Sequence, residues 1–226
     1  MSKSALVAVM DQFPDKTTSK STMCSALVHV GLPNVGNSVQ MEQSSAQTVY
    51  VQERPVTGFL LLRASEQSNA LSEALQDRCG LALSSRLQSD TNDEYCVRWM
   101  SPDSWLLTCP LDQAYAIEID LRKAVDAHIG IVNVSGGYSI LELSGNRARD
   151  VLMKSTGYDT HPDNFAEGKV VNTTFAKAQV TLRSVELNQG WGRYELIVRR
   201  SFCDYVWMWI QQASEEFGLD ASTGTY

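Results

Sequence analysis

The sequence predicts an α+β fold built from two similar halves, each an antiparallel sheet backed by helices. The order strand, helix, strand, strand, helix occurs twice along the 226 residues. The first helix of each half carries apolar residues at the same spacing, namely Leu71, Ala74 and Leu75 in one half and Ala148, Val151 and Leu152 in the other. Sheets covered by helices in this order are typical of α+β proteins.

Residues 46–130 form the predicted first half. Alternating apolar residues and turn residues predict strands at 48–51 and 59–63, a helix at 69–79, a hairpin of strands 94–99 and 105–109, and a helix at 112–128. Gly80 follows the first helix, where a left-handed C-cap is favoured, and Gly130 ends the second.

Residues 131–218 form the predicted second half, which begins with a glycine pair between two short apolar runs. The runs are 131–135 and 138–143, and Gly136-Gly137 lies between them. Because glycine readily adopts the positive φ values of primed turns, this pair predicts a β-hairpin.

The rest of the second half repeats the element order of the first. Ser144 or Asn146 is predicted to cap a helix at 146–155. Further periodicity predicts strands at 170–175, 180–187 and 193–199 and a last helix at 201–217. Ser201 is the predicted N-cap of that last helix, with Asp204 in its first turn.

The last helix is apolar on more than one side. Its predicted core stripe consists of Phe202, Val206, Trp209, Ile210, Ala213 and Phe217. Tyr205, Trp207 and Met208 lie outside this stripe, so something beyond the helix's own sheet is expected to cover them. A partner surface and plain burial within the fold both fit this pattern, because aromatic residues and methionine are enriched in interface cores. We predict a partner interface formed by Tyr205, Trp207 and Met208 with the basic pair Arg199 and Arg200.

The two termini lack the periodicity of the rest. Residues 1–45 are rich in Ser, Thr, Gln and Asn and are predicted to form an extended arm, although a floppy terminus fits the composition equally well. Residues 219–226 are predicted to be a flexible C-terminal tail.

The bulk composition excludes several classes of function. A net charge of −7 without a basic stripe opposes nucleic-acid binding. The five cysteines include no Cys-x-x-Cys pair, which indicates a reducing compartment and no zinc site. No run approaches the ~20 apolar residues of a membrane helix, and the first ten residues do not resemble a signal peptide. We therefore expect a cytoplasmic protein.

Motifs that carry chemistry are sparse in this sequence. It has no Gly-x-Gly-x-x-Gly, phosphate-loop or Gly-x-Ser-x-Gly motif, and its three histidines have no metal-type partner at helical spacing. Glu142 fits a solvent-facing strand residue better than a site carboxylate, because it alternates with Leu141 and Leu143. Cys203 fits a buried inert cysteine better than a reactive thiolate at a helix start. We predict no catalytic, cofactor-binding or metal-binding residue.

Two longer motifs resemble the gamma subunit of heterotetrameric sarcosine oxidase. They are N-V-S-G followed by I-L-E-L-S-G-x-R-A-R-x-V-L at 133–152, and L-I-V-R-R-S-F-C-D-Y-V-W at 196–207. Shorter matches are His161-Pro162-x-x-Phe165, Phe175-Ala176-Lys177-Ala178, and Ser101-Pro102-Asp103 before the strand at Trp105. The resemblance extends over residues 95–217 and more loosely over 46–94. The first motif is also similar to folate-binding aminomethyltransferase-type domains.

The resemblance implies a subunit of a complex with alpha, beta, gamma and delta chains. Such a complex oxidises sarcosine to glycine, with formaldehyde or methylene-tetrahydrofolate and hydrogen peroxide as the other products. FAD, FMN, NAD, tetrahydrofolate and zinc are expected in the partner chains and none in this chain; the flavins and NAD belong to alpha and beta, and zinc belongs to delta. The implied fold is like the folate-binding domain of aminomethyltransferases, which also duplicates a sheet-and-helix unit.

Two functional hypotheses follow. In the first, the chain is a non-catalytic structural and assembly subunit of a sarcosine oxidase, and Trp207→Ala or Arg200→Glu should weaken assembly more than it disturbs the fold. In the second, the chain is a stand-alone tetrahydrofolate-binding or aminomethyl-transferring domain.

Overall fold

The computed structural model describes residues 48–64, 69–126 and 128–223, so the predicted arm at residues 1–45 lies outside the described residues. In chain order the elements are β1 Val49–Glu53, β2 Thr57–Arg63, α1 Asn69–Cys79, β3 Ser89–Thr91, β4 Cys96–Ser101, β5 Ser104–Pro110, α2 Ala114–Ala124, β6 Gly130–Asn133, β7 Tyr138–Gly145, α3 Ala148–Ser155, β8 Val170–Phe175, β9 Ala178–Asn188, β10 Trp191–Arg199, α4 Cys203–Ser214 and β11 Leu219–Thr223. The predicted doubling of a strand-and-helix unit is confirmed, but each half has three strands between its two helices instead of the two in the predicted order.

The strands form two sheets that exchange their leading strands. One sheet has the order β3-β4-β5-β2-β6, and the other has the order β11-β1-β7-β10-β9-β8. β1 is the first strand of the first half, yet it pairs antiparallel with β7 of the second half. β6 lies at the start of the second half, yet it pairs antiparallel with β2 of the first half. The predicted boundary at residue 130 therefore divides the repeat along the chain but does not divide the two sheets.

The sheets pack face to face, with helices on their outer faces. Alternate residues of each strand point to opposite sides, so Leu60 and Leu62 of β2 pack in one core with α1 and α2, while Phe59 belongs to the layer between the sheets. The second sheet packs in the same way against α3 and α4. Both faces of the central strands are consequently covered.

The predicted hairpin at Gly136-Gly137 is wrong. Ser135–Gly137 form a 3₁₀ turn that carries the chain from one sheet to the other, and neither glycine has a positive φ. β6 pairs with β2 instead: the Val134 amide donates to the Phe59 carbonyl at 2.8 Å, and the Phe59 amide donates to Ser135 Oγ at 2.9 Å. Pairing with the distant strand β2 is therefore preferred over the hairpin that the local glycine pair predicts.

The predicted flexible tail is wrong over residues 219–223, which form β11. This strand pairs parallel with β1, and the Val49 amide donates to the Gly218 carbonyl at 3.1 Å. Gly218 has a φ of 77°, a conformation that glycine adopts without strain, and this lets the chain turn from α4 into the sheet.

The predicted helix starts also need correction. α3 begins after Arg147, because β7 continues through Ser144 to Gly145, and neither predicted residue caps it with its side chain. A 3₁₀ turn, Arg200–Phe202, precedes α4 and takes in Ser201, so Phe202 occupies the N-cap position without a side-chain cap. The C-cap at Gly80 is confirmed by its φ of 71°.

Candidate functional site

The space between the two sheets contains a group of charged side chains, which we call the inter-sheet charge cluster. Its members are Arg54, Arg98, Arg183, Arg193, Glu142 and Glu195. Arg98 lies on β4 of one sheet and Glu195 on β10 of the other, and both are almost completely buried. Their ion pair therefore joins the two sheets directly.

Glu195 is the centre of this cluster. Its Oε2 accepts hydrogen bonds from Arg98 Nη2 at 2.7 Å and from Arg183 Nη1 at 3.1 Å, and its Oε1 lies 3.1 Å from Arg54 Nη1. Arg98 also donates through Nη1 to Thr108 Oγ1 at 2.8 Å. Both carboxylate oxygens are thus paired, as a buried charge requires.

The surroundings of Glu195 keep it ionised. Burial alone would raise its pKa, but the guanidinium groups of Arg98, Arg183 and Arg54 outweigh burial and lower the pKa from 4.5 to about 2. A carboxylate with this pKa stays ionised at neutral pH. Glu195 therefore acts as the counter-ion that holds the three arginines together.

Glu142 does not face solvent as predicted. Its side chain is 13% exposed and lies on the inner face of β7, with Oε2 3.4 Å from Arg54 Nε and Oε1 3.8 Å from Arg193 Nη1. Burial raises the pKa of Glu142, and the two arginines oppose this shift. Glu142 does alternate with Leu141 and Leu143, which face the helices. The face that carries Glu142 would be expected to meet solvent, but the five-stranded sheet covers it.

Sequence reasoning missed Arg98, Arg183 and Glu195. The available signal was a charged residue between apolar neighbours in a strand, as in Tyr194-Glu195-Leu196. In a sheet with one solvent-exposed face, such a charged residue is predicted to face the solvent. Here it marks a buried ion cluster, because both faces are covered.

Trp207 lies in the core, so the prediction that it lies outside the core stripe is wrong. It is fully buried among residues of α3, α4 and the six-stranded sheet. The buried positions of α4 are Cys203, Val206, Trp207, Ile210, Ala213 and Ser214. Trp209, predicted in the stripe, is partly buried and donates through Nε1 to Ser155 Oγ at 3.0 Å. A fully buried Trp207 cannot contribute surface to a partner interface.

The outward side of α4 carries exposed apolar side chains, which we call the α4 outer face. Phe202, Tyr205 and Met208 are 48%, 39% and 46% exposed, and they recur every three residues. Phe202 was predicted in the core and is instead part of this face. The predicted pair Arg199 and Arg200 directly precedes it; Arg199 is exposed and Arg200 is partly buried.

The cysteines of the described residues are all buried. Cys79 and Cys109 are buried, and burial raises the pKa of their thiols to about 11 and about 12. Cys203 is buried. Within the described ranges no group of three or more His, Cys, Asp or Glu residues is arranged to hold a metal ion. None of the described helices is both long enough and apolar enough to span a membrane.

Comparison with known proteins decides the family. The family model described as "Sarcosine oxidase, gamma subunit family" matches residues 63–216, more than half of the chain. The chain belongs to the sarcosine oxidase gamma subunit family. This match includes the inter-sheet charge cluster except Arg54, and it includes the α4 outer face.

Relatives of this gamma-family chain resemble it over most of their length. Sarcosine oxidase subunit gamma of Corynebacterium sp. (strain P-1) is 30% identical over 180 residues, which cover 78% of this chain and 85% of that protein. The protein of the same name from Corynebacterium sp. (strain U-96) is 29% identical over 180 residues, which cover 78% of this chain and 84% of that protein.

Solved structures agree with the fold of this gamma-family chain. A chain of heterotetrameric sarcosine oxidase from Corynebacterium sp. U-96, in complex with pyrrole 2-carboxylate, matches with a TM-score of 0.67 and 26% identity, over 75% of this chain and 85% of that chain. The glycine cleavage system aminomethyltransferase T from Bartonella henselae matches with a TM-score of 0.54 and 12% identity, over 76% of this chain and 47% of that chain. The second match supports the predicted aminomethyltransferase-like fold.

Proposed function

We propose that this chain is the gamma subunit of a heterotetrameric sarcosine oxidase and acts there as a structural and assembly subunit. The observation that carries the proposal is the family match over residues 63–216, joined to the likeness to a chain of a heterotetrameric enzyme. The partners of this subunit are alpha, beta and delta chains, and the complex is cytoplasmic.

The proposed complex demethylates sarcosine oxidatively to glycine, giving formaldehyde or methylene-tetrahydrofolate and hydrogen peroxide. FAD, FMN, NAD, tetrahydrofolate and zinc belong to the partner chains in this proposal. This chain supplies no reacting group. The arrangement of its buried charges supports that role, because Glu195 is locked between three guanidinium groups and its pKa of about 2 makes it a poor proton carrier at neutral pH.

The proposed partner interface consists of Tyr205 and Met208 on the α4 outer face together with Arg199 and Arg200. Exposed aromatic, methionine and arginine side chains on one surface have the composition of an interface core. The α4 outer face lies on a helix whose other side is packed in a core with α3 and the six-stranded sheet, so these groups are held in place before a partner arrives.

Co-expression with the alpha, beta and delta chains tests the proposal. With an affinity tag on this chain, we expect a purified complex of four chains with the absorbance of bound flavin and sarcosine-dependent peroxide production. The isolated chain should carry no flavin. Flavin bound by the isolated chain, or purification of this chain without the flavin-bearing chains, would contradict the proposal.

The alternative is a stand-alone tetrahydrofolate-binding or aminomethyl-transferring domain. One observation favours it: residues 133–138 and Arg199 line an open cavity of about 400 Å³, which offers a cation to an acidic ligand. Calorimetry of the full chain with tetrahydrofolate separates the two functions. Saturable one-to-one binding supports the alternative, whereas no heat of binding at high ligand concentration removes it.

A further inference from the structure

The connection between the two sheets borders an open cavity of about 400 Å³, which we call the crossover depression. It is lined by residues 133–138, which lead from β6 to β7, and by Arg199 at the end of β10. Two of the lining residues are exposed glycines, and a Cβ added at Gly136 or Gly137 would meet no heavy atom within 4 Å.

The wall of the crossover depression is fixed by hydrogen bonds. Asn133 Oδ1 accepts from the Ser135 amide at 3.1 Å and from Ser135 Oγ at 2.6 Å. The Phe59 amide donates to Ser135 Oγ at 2.9 Å and ties this loop to β2. The depression is therefore formed in the free chain, and binding need not order it.

The charge of the crossover depression comes from Arg199. Its guanidinium is exposed, and it makes no ion pair or side-chain hydrogen bond with the part of the chain that the structure describes. Most other described arginines of the second half have carboxylate partners, as Arg147, Arg183 and Arg193 do. The net charge of the chain is −7. An exposed arginine that has no carboxylate partner among the described residues can pair with an acidic group of another molecule.

Two exposed apolar residues lie close in sequence to the lining of the crossover depression, one directly before Asn133 and one three residues after Arg199. Val132 on β6 is 53% exposed, and Phe202 is 48% exposed at the start of the α4 outer face. The 3₁₀ turn Ser135–Gly137, which lines the depression, contacts the 3₁₀ turn Arg200–Phe202, where the α4 outer face begins. Asp204, in the first turn of α4, is exposed.

We propose that the crossover depression receives an acidic side chain from a segment of a partner subunit, whose apolar neighbours pack on Val132 and Phe202. This inference rests on the proposed function and names the chemistry of the partner. The open shape favours a protein segment over a free small carboxylate, because small-molecule sites enclose most of their ligand. A small acid at Arg199 would also leave Val132 and Phe202 exposed.

Charge reversal at Arg199 tests the proposal in the co-expressed complex. We expect Arg199→Glu to lower the fraction of this chain retained in the complex on dilution, with an apparent dissociation constant at least tenfold higher. Arg86→Glu is the matched control, since Arg86 is exposed and lies outside the depression. The melting temperature of each isolated variant should equal that of the unmodified chain.

Filling the depression gives a second, uncharged test. Gly137→Leu should block the partner segment and raise the dissociation constant to a similar extent. Gly157→Leu is its control, because Gly157 is also exposed, also lacks a positive φ and also has no atom within 4 Å of an added Cβ.

The outcomes separate this inference from the proposed function. If the unmodified chain does not assemble with flavin-bearing subunits, the proposed function fails. If it assembles and Arg199→Glu and Gly137→Leu assemble within twofold of it, only the present inference is overturned. A photo-crosslinking residue at position 132 should capture a partner peptide that contains Asp or Glu. Capture of residues 1–47 of this chain or of a second copy would also overturn it.

Discussion

At the scale of single residues, Glu195 determines how the inner faces of the two sheets meet. It lies on one sheet, Arg98 lies on the other, and Arg54 and Arg183 complete its coordination. Removing one member of a buried ionic group is costly because the remaining charges lose their counter-ion and cannot be rehydrated. The apolar contacts beside it, such as Phe59 with Ile140, contain no comparable directional interaction.

We predict that Glu195→Gln destabilises the chain by about 3–5 kcal/mol at pH 7, measured by urea unfolding. The folded pKa of about 2 lies below the ordinary 4.5, so the ionised carboxylate stabilises the fold above pH 4.5. This contribution is lost as the pH falls from 4.5 towards 2, and Glu195→Gln should remove that part of the acid dependence.

Glu186→Gln is the control for Glu195→Gln. Glu186 is 41% exposed and pairs with Arg193 at 3.3 Å, so its loss should cost less than about 1 kcal/mol. Equal destabilisation by the two variants would contradict the role assigned to Glu195.

Two neighbouring residues of α4 should behave in opposite ways. Trp207→Ala should lower the unfolding free energy by about 3–5 kcal/mol, because it empties a fully buried site. Met208→Ala should leave stability within about 0.5 kcal/mol and weaken assembly, since Met208 is 46% exposed on the α4 outer face. Urea unfolding of the isolated chain and retention in the co-expressed complex measure the two effects. A stability loss at Met208 or none at Trp207 would contradict this assignment.

At the scale of elements, β1 reaches its place beside β7 only because β7 ends in a glycine. Gly145 has a φ of 121°, and a Cβ there would lie 2.3 Å from the Thr48 carbonyl oxygen. No side chain fits that approach, and the φ value itself favours glycine. The pairing of β1 with β7, and of β11 with β1, depends on this contact.

Gly145→Ala should therefore destabilise the chain by about 3 kcal/mol, the upper range of ordinary point mutations. Hydrogen exchange should show the loss first in β1 and β11, whereas β4 and β5 should keep their protection. Gly157→Ala is the control, because an added Cβ there has open space. Uniform loss of protection across both sheets would argue against a local role for Gly145.

The elements that sequence patterns predicted well are those whose partners are close in the chain. The hairpin of β4 and β5 and the helix α1 with its Gly80 cap depend on neighbouring residues alone. β1, β6 and β11 pair with strands that are far away in sequence. The local patterns therefore predicted a hairpin at Gly136-Gly137 and a flexible tail at the polar C-terminus, and both predictions are wrong.

At the scale of the whole molecule, the same limit applies to the candidate site. The exposure of Tyr205 and Met208 followed from helical spacing. The predicted stripe was centred one residue away from the buried face, because it included Phe202 and Trp209 in place of Cys203 and Trp207, and Trp207 was therefore assigned to the surface. The inter-sheet charge cluster could not be derived from periodicity, since periodicity does not tell whether the second face of a strand meets water or another sheet.

The exchange of β1 and β6 between the sheets has a consequence for synthesis and folding. Val49 leaves the ribosome long before Gly145, its partner in β7, so β1 has no native neighbour until the second half is translated. The first half then lacks its partner sheet and exposes its inner apolar face.

We expect a single cooperative unfolding transition for the intact chain. A fragment ending at residue 130 should be aggregation-prone, because it lacks β6 and leaves β1 as an unpaired strand.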